Sequence, residues 1–192
     1  MYHEGNRRLQ DAFGSRALAD RLEEKLRRDR FNADDAAFVA GLGFFFLATA
    51  DAHGRPDCSF KGGPPGFVRI ARPDLIVFPD YDGNGMFKSL GNIAVNPHVG
   101  LLFIAMGEAP KRLRVNGRAE VVRDDPLIAQ IPGAQLLVKV TPFDIFPNCP
   151  RYVPNLKLEA ASPYLPEAGI PPLEPKWKSY EMFADVVPPR RR

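Results

Sequence analysis

The sequence predicts a mainly β domain with helices at its N-terminal end, and three observations support this fold class. Short apolar segments follow one another closely in the middle of the chain, as the strands of a barrel do. Helix signals are confined to the N-terminal region and to one later segment. The end of the chain is rich in proline, with 11 of the 20 prolines at or after Pro142, so little regular structure is expected there.

Length and composition indicate one domain. The 192 residues are 45% hydrophobic and include 14 phenylalanines, which is enough to fill a core without a metal or disulfides. We expect a helical region at 1–42, a barrel at 43–146 and a proline-rich wrap at 147–192. The net charge of +3 gives no strong overall attraction to nucleic acid or to anionic membranes.

The cysteines and histidines do not form a metal-binding pattern. Cys58 and Cys149 lie far apart, and His3, His53 and His98 have no spacing typical of zinc ligands. We therefore expect no metal site. No apolar segment approaches the roughly 18 residues of a membrane span, and no signal-peptide core is evident, so the sequence predicts a soluble, cytoplasmic protein without a membrane partner.

Two helices are predicted before the first strand. Ser15 is placed to cap a segment whose leucines recur every fourth residue, and Asn32 with Asp35 resembles a capping box. The leucines are Leu18, Leu22 and Leu26.

Seven strands are predicted in the middle of the chain. The first ends at Asp51 in a turn-forming segment, which indicates a hairpin. A helix over Met86 to Val95, stopped by Asn96-Pro97, is predicted to cross between strands, as in a closed barrel with one crossover. The strand candidates are Phe44 to Ala50, Asp57 to Phe60, Gly66 to Ile70, Leu75 to Phe78, Val99 to Ala105, Arg112 to Arg123 and Gln135 to Ile145.

Three segments combine glycines with cations or a hydroxyl: Lys61 to Val68, Gly83 to Leu90, and Arg112 to Ala119. Glycine lets a ligand approach the backbone, and the polar groups suit an anion, so their combination indicates a phosphorylated cofactor. Taken singly, each segment has an ordinary explanation. Lys61 can lie in a solvated loop, and Lys88 can be an exposed lysine near a helix cap.

The strand around Arg114 has the clearest pattern. Alternation places its basic residues and Asn116 on one face and its apolar residues on the other. The basic residues are Arg112, Arg114 and Arg118. The alternative interpretation is a solvated outer face, which is common in antiparallel sheets.

Four motifs between Phe44 and Val122 occur together in one known family. They are Pro64-Pro65-Gly66-Phe67-Val68, Ser89-Leu90-Gly91-Asn92-Ile93, Asn96-Pro97-His98-Val99-Gly100-Leu101-Leu102-Phe103 and Leu113-Arg114-Val115-Asn116-Gly117-Arg118-Ala119. Over roughly Phe44 to Val122 the chain therefore resembles the pyridoxamine 5'-phosphate oxidase-like flavin-binding split barrels, in particular a flavin-nucleotide-binding subgroup. The resemblance implies a six-stranded antiparallel split β-barrel of Greek-key type, a homodimer, and FMN in the cleft between subunits.

The resemblance also implies a set of FMN-binding residues. They are Ser59, Lys61, Gly66, Phe67, Val68, Phe78, Pro79, Asp80, Asn84, Lys88, Ser89 and Arg114. One departure is Met86, which stands where similar proteins tend to have an arginine and cannot bind phosphate. Lys88, Lys61 or Arg114 would have to compensate.

The function that the resemblance implies is that of an FMN-dependent oxidoreductase acting on a small organic substrate. A true pyridoxamine phosphate oxidase is not expected, because the Arg-x-His substrate motif is not visible. No catalytic residue is assigned, since the chemistry belongs to the flavin. A non-catalytic flavin or haem carrier is the alternative. Nucleic-acid binding through the basic strand and the terminal 190–192 is not favoured, because interleaved aromatic residues are lacking.

The C-terminal region contains one further apolar cluster, which we expect to dock on the body of the domain or on a partner subunit. Its members are Trp177, Tyr180, Met182 and Phe183.

Overall fold

The structure is a computed structural model that describes residues 1–188. Three helices precede the sheet, one crosses it, and a short one lies near the end. They are α1 (Glu4–Ala12), α2 (Arg16–Leu26), α3 (Ala33–Ala40), α4 (Lys88–Val95) and α5 (Glu181–Ala184). Within the described residues, no helix combines the length and the apolar character needed to cross a membrane.

Seven antiparallel strands form one sheet in the order β2-β1-β5-β6-β7-β4-β3. This confirms the predicted mainly β class with peripheral helices. The strands are β1 (Phe44–Ala50), β2 (Pro56–Gly62), β3 (Arg69–Arg72), β4 (Leu75–Tyr81), β5 (His98–Ala105), β6 (Lys111–Val122) and β7 (Ala134–Asn148).

All seven strand candidates form strands, one more than the six that the resemblance implies, and one of them is displaced. The prediction that a strand begins at Gly66 was wrong, because β3 begins at Arg69. The Phe67 amide donates to the Pro64 carbonyl at 2.9 Å, and Gly66 has a φ of +86°. A turn through Pro65 therefore uses the residues that the apolar pattern assigned to the strand.

The sheet does not close, in contrast to the closed barrel that the strand pattern predicted. Its two edges are β2 and β3, which are consecutive in the chain but do not pair. The connection between them includes Pro64 and Pro65, which have no amide hydrogen to donate to a ladder. An open edge on each side is consistent with a split barrel.

Local signals account for most of the N-terminal helices. The capping box of α3 is present, with the Asp35 amide donating to Asn32 Oδ1 at 2.8 Å. Ser15 precedes α2 as predicted, but its side chain makes no cap hydrogen bond. Helix α1 was not predicted, because its cap is His3, whose Nδ1 accepts from the Gly5 amide at 3.1 Å, and histidine is not a typical capping residue.

The core lies between the inner face of the sheet and helices α3 and α4. Phe45, Phe78 and Phe103 are at most 1% exposed and their rings meet at centroid distances of 4.9 and 5.2 Å. Aromatic pairs at this separation add to the stability given by burial alone. Arg28 ties the N-terminal region to the sheet through reciprocal backbone hydrogen bonds with Ile145, of 2.9 and 2.7 Å.

Candidate functional site

A cavity of about 420 Å³ lies beside edge strand β2, between that strand, the end of β4 and the N-terminus of α4. A small-molecule site typically has a volume of about 300–1,000 Å³. The residues that line it come from four parts of the chain. They are Asp57, Cys58, Ser59, Lys61, Asp80, Tyr81, Asp82, Gly83, Asn84, Gly85, Met86, Phe87, Lys88, Ser89, Leu90, Gln135, Trp177, Lys178, Val187 and Pro188.

Half of the residues predicted to bind a cofactor line this cavity, and the other half do not. Those in the cavity are Ser59, Lys61, Asp80, Asn84, Lys88 and Ser89. Those outside it are Gly66, Phe67, Val68, Phe78, Pro79 and Arg114.

Three of the residues outside the cavity belong to the core. Phe67, Val68 and Phe78 are at most 4% exposed, and the ring of Phe67 stacks on that of Phe45 at 6.0 Å. Pro79 is buried within β4, and Gly66 lies in the turn before β3. The side chains of Phe67, Val68 and Phe78 therefore pack in the interior, and Gly66 has no side chain, so these four residues can contact a ligand only through their backbone.

Strand β2 is joined to α4 at the cavity wall. The Ser59 and Ser89 hydroxyl oxygens are 2.9 Å apart, and Ser89 is only 4% exposed. Behind this contact, the side-chain Nδ2 of the buried Asn92 donates to Thr49 Oγ1 at 3.0 Å, which fixes the helix on β1. The first turn of α4 is thus held against the edge of the sheet.

The N-terminus of α4 has an unusual backbone. Phe87 precedes the helix in the left-handed region, with φ 48° and ψ 30°, and it is the one non-glycine residue with positive φ among residues 1–188. Such a conformation costs about 1–3 kcal/mol and occurs often at ligand sites. No side chain caps the helix. The first N–H groups of α4 are therefore hydrogen-bond donors without a side-chain acceptor. They lie at the cavity, together with the positive end of the helix dipole.

The lysines that line the cavity differ in whether they form ion pairs. Lys178 is paired with Asp82 at 2.6 Å and with Glu174 at 3.3 Å. Within the described part of the chain, neither Lys61 nor Lys88 forms an ion pair. These two lysines are the cations with charge available for an anionic ligand.

Asp80, near the end of β4, adds a carboxyl group to the cavity lining. Gln135 Nε2 donates to Asp80 Oδ2 and to the Tyr81 carbonyl, both at 3.0 Å. Burial raises the pKa of the Asp80 carboxyl, and the Gln135 hydrogen bond and the positive charge of Lys61 oppose that rise. This part of the lining therefore presents a hydrogen-bond acceptor.

The loop before α4 is stabilised by its own polar residues. Asn84 Oδ1 accepts from the Met86 amide at 3.0 Å, so this side chain stabilises the loop at the cavity wall. Met86 itself is 70% exposed and supplies no charge at this end of the cavity.

Arg114 lies on the other side of the sheet. The predicted alternation on β6 is present, with Leu113 and Val115 at most 1% exposed and Arg114 exposed. Arg114 makes no hydrogen bond or ion pair with any residue in 1–188. It shares a register row with Leu102, Phe46 and Phe60 across β5, β1 and β2. Phe60 is 62% exposed, so this row forms an exposed apolar and basic face.

Its two neighbours on the basic face have no acidic partner among residues 1–188, and Arg112 Nε is buried without a hydrogen bond. Arg112 donates to the Cys149 carbonyl, and Arg118 Nη1 lies 3.4 Å from His98 Nε2. Residues 190–192, which the nucleic-acid interpretation would use, lie outside the described residues. Among those that are described, no group of three or more His, Cys, Asp or Glu could hold a metal ion.

The residues that the sequence analysis did not assign to the site come from distant parts of the chain. Gln135 is the second residue of β7, and Trp177 and Lys178 belong to the C-terminal region. Trp177 packs edge-on against Phe183 at 6.1 Å, whereas Tyr180 and Met182 are 53% and 73% exposed. The apolar cluster at 177–183 predicted that this region docks on the body of the domain or on a partner subunit, but no local pattern indicated the cavity.

Comparisons with known proteins identify the fold and the family. The sequence profile described as pyridoxamine 5'-phosphate oxidase matches residues 31–146, more than half of the chain. No curated protein gives a significant match. Several solved structures share the fold.

A candidate pyridoxamine 5'-phosphate oxidase from Lactobacillus delbrueckii is 20% identical, with a TM-score of 0.50 over 62% of this chain and 95% of that one. HupZ from Group A Streptococcus is 16% identical, with a TM-score of 0.50 over 66% and 99% of the two chains. An FMN-binding protein from Syntrophomonas wolfei is 10% identical, with a TM-score of 0.48 over 73% and 97%.

Proposed function

Because the chain belongs to the pyridoxamine 5'-phosphate oxidase family, we propose that it is a cytoplasmic flavoprotein that binds FMN in the cavity beside β2 and oxidises or reduces a small organic substrate. The observation that carries this proposal is the convergence of Lys88, Lys61 and the uncapped N-terminus of α4 on one cavity. A helix N-terminus with free amides is suited to a phosphate.

The residues at this end of the cavity fit the phosphate of FMN. Lys88 follows the strained Phe87 in the first turn, and Ser89 offers a hydroxyl that already lies in contact with Ser59. Lys61 is half-buried and free of ion pairs with residues 1–188. Two cations, a hydroxyl and helix amides supply the charge that Met86 lacks.

Arg114 acts across a subunit interface in this proposal. Arg114 is exposed, and its register row continues into the half-buried Phe46 on β1 and the exposed Phe60 on β2. Phe44 stacks on Phe60 at 5.3 Å on this face. An exposed apolar face of this kind is typical of a surface that a partner covers. A second copy of the chain is the proposed partner, and it would place a basic strand next to the FMN.

The flavin, when bound, supplies the hydride or electron transfer. The protein orients it, limits the access of water and oxygen, and offers polar groups along its edge. Asp80 also lines the cavity, where its carboxyl group is an acceptor for the ring or the substrate, and Gln135 holds it in place by a hydrogen bond. No proton-transfer residue is required by this arrangement.

Titration with FMN and with riboflavin, followed by visible absorption, tests the proposal. Lys88→Ala and Arg114→Ala should each weaken FMN binding by about 10- to 100-fold, the loss expected for a hydrogen bond to a charged group. Riboflavin binding should change little, because riboflavin lacks the phosphate. Lys157→Ala is the matched control, since Lys157 is exposed in the C-terminal region away from the cavity. Equal losses for the two ligands would contradict the phosphate assignment.

Turnover separates an oxidoreductase from a carrier. The FMN-loaded protein is reduced anaerobically with NADH or NADPH and then mixed with oxygen or an organic acceptor. Repeated reoxidation supports the enzyme. A flavin that is bound but never reduced and reoxidised supports a carrier. A haem absorption band in the purified protein, together with no flavin binding, would overturn the FMN assignment.

A further inference from the structure

The C-terminal region runs along the body of the domain before it reaches the cavity. From 149 to 175 it contains no helix or strand. The Leu156 amide donates to the Met106 carbonyl at 2.9 Å, at the β5–β6 hairpin. Farther on, Pro166 lies so close to Gly133 that a Cβ on this glycine would come within 2.6 Å of the proline ring. These contacts guide the chain toward Tyr81 and the cavity.

The last contact of this path is an ion pair at the cavity. Lys178 Nζ lies 2.6 Å from Asp82 Oδ2, and its side chain is only 14% exposed. Asp82 belongs to the segment between β4 and α4, so the pair joins the C-terminal region to the segment that leads to the proposed phosphate site. Glu174, at 3.3 Å, adds a second carboxylate to the same ammonium. Shielding from solvent strengthens such a pair.

This ion pair holds the one tryptophan of the sequence in the cavity wall. Trp177 is half-buried, and Phe183 supports it edge-on at an interplanar angle of 83°. The next residue in the chain, Lys178, is held by its ion pair with Asp82, and this restricts movement of the Trp177 indole away from the cavity wall. An indole wall suits a flat conjugated ring, because aromatic rings stack with an energy beyond that of burial alone.

We infer that Trp177 and Lys178 complete the ligand site from the C-terminal region, that Trp177 contacts a flat conjugated ring bound there, and that Lys178 is the positioning residue that holds Trp177 through Asp82. This inference rests on the proposed function, because the flavin is the ring used as the probe. It places the ring against Trp177 and the phosphate at Lys88, two residues that line the same cavity.

The first experiment measures riboflavin and FMN affinity by flavin absorbance for Trp177→Leu and Trp177→Phe. The leucine variant should bind both ligands about three- to tenfold more weakly, the loss of one aromatic stacking contact. The phenylalanine variant should retain most of the affinity. Tyr180→Leu is the matched control, because Tyr180 is an exposed aromatic residue of the same segment, and it should bind like the wild type.

The second experiment measures flavin dissociation by stopped flow. Lys178→Ala should release the flavin several-fold faster, and Lys178→Arg should restore the slow rate because it keeps the charge. Lys176→Ala is the control, since Lys176 is exposed and makes no ion pair within 1–188. In wild-type protein, flavin binding should also protect Trp177 from acrylamide quenching. A merely structural role for Lys178 would not produce charge-dependent release.

The outcomes separate the two proposals. If the wild-type protein binds neither FMN nor riboflavin, the proposed function fails and this inference fails with it. If the wild type binds flavin but Trp177→Leu binds it equally well, with no acrylamide protection, the inference alone is overturned. Thermal unfolding of each variant distinguishes a lost contact from a lost fold.

Discussion

Gly117→Ala should destabilise the protein through one specific collision on β6. A Cβ at this position would lie 2.6 Å from both the Thr141 carbonyl oxygen and Val140 Cγ1. Ordinary contact begins at 3.4 Å, so the atoms must separate by about 0.8 Å. The carbonyl belongs to the backbone of β7 at the point where the β6–β7 register shifts, and it cannot turn aside as a flexible side chain would.

The expected cost is about 1–3 kcal/mol, as for other insertions into a packed interior. For a chain of this length that corresponds to a fall in Tm of about 2–12 °C. Differential scanning calorimetry on the wild type and the variant measures it. Gly91→Ala is the matched control: it lies in α4 with nothing within 4 Å of the new Cβ, and it should stabilise by about 0.5–1 kcal/mol. If both variants shift Tm alike, the collision argument is wrong.

Two further predictions concern buried polar groups. Thr49→Val removes the acceptor of the buried Asn92 Nδ2 and should lower the free energy of unfolding, measured in urea, by about 1–3 kcal/mol. The double variant that also carries Asn92→Leu should recover part of that loss. Asp80→Asn should be more stable than the wild type at pH 7. Since burial raises the pKa of Asp80 in the folded state, wild-type stability falls as pH rises from about 4 through the raised pKa, and the advantage of the variant should shrink on acidification. If the wild type instead gains stability relative to this variant as pH rises, Lys61 and Gln135 lower the pKa of Asp80 more than burial raises it.

The parts of the fold that follow from the sequence are those that neighbouring residues determine. The capping box of Asn32 and Asp35 sets the start of α3 by itself. The turn after β1 is held by Asp51, whose Oδ1 accepts from the amides of His53 and Arg55 at 2.8 and 2.9 Å. Alternation on β6 correctly predicts Arg114 outside and Val115 inside, because a strand has a period of two.

The site could be predicted only in part, because its walls join residues that are distant in sequence. The Ser59–Ser89 contact spans 30 residues, the Gln135–Asp80 contact 55, and the Lys178–Asp82 contact 96. No periodicity or turn motif encodes such pairs. Family resemblance indicated Lys88 and Ser89 of the proposed phosphate site, which are adjacent in sequence, but it gave no signal for the cavity wall at Trp177.

The distribution of charge in the cavity favours one location for the phosphate of the proposed ligand. Lys178 is already neutralised by Asp82 and Glu174, so it offers little to an anion. The carboxylate of Asp80 makes the neighbouring wall unfavourable for a phosphate, since two negative groups would share a partly buried space. Lys88 and the free amides of α4 remain as the favourable end. In the proposed function, an FMN with its phosphate at Lys88 has its ring near Asp80 and Trp177, so the proposed phosphate site and the proposed aromatic contact belong to one ligand.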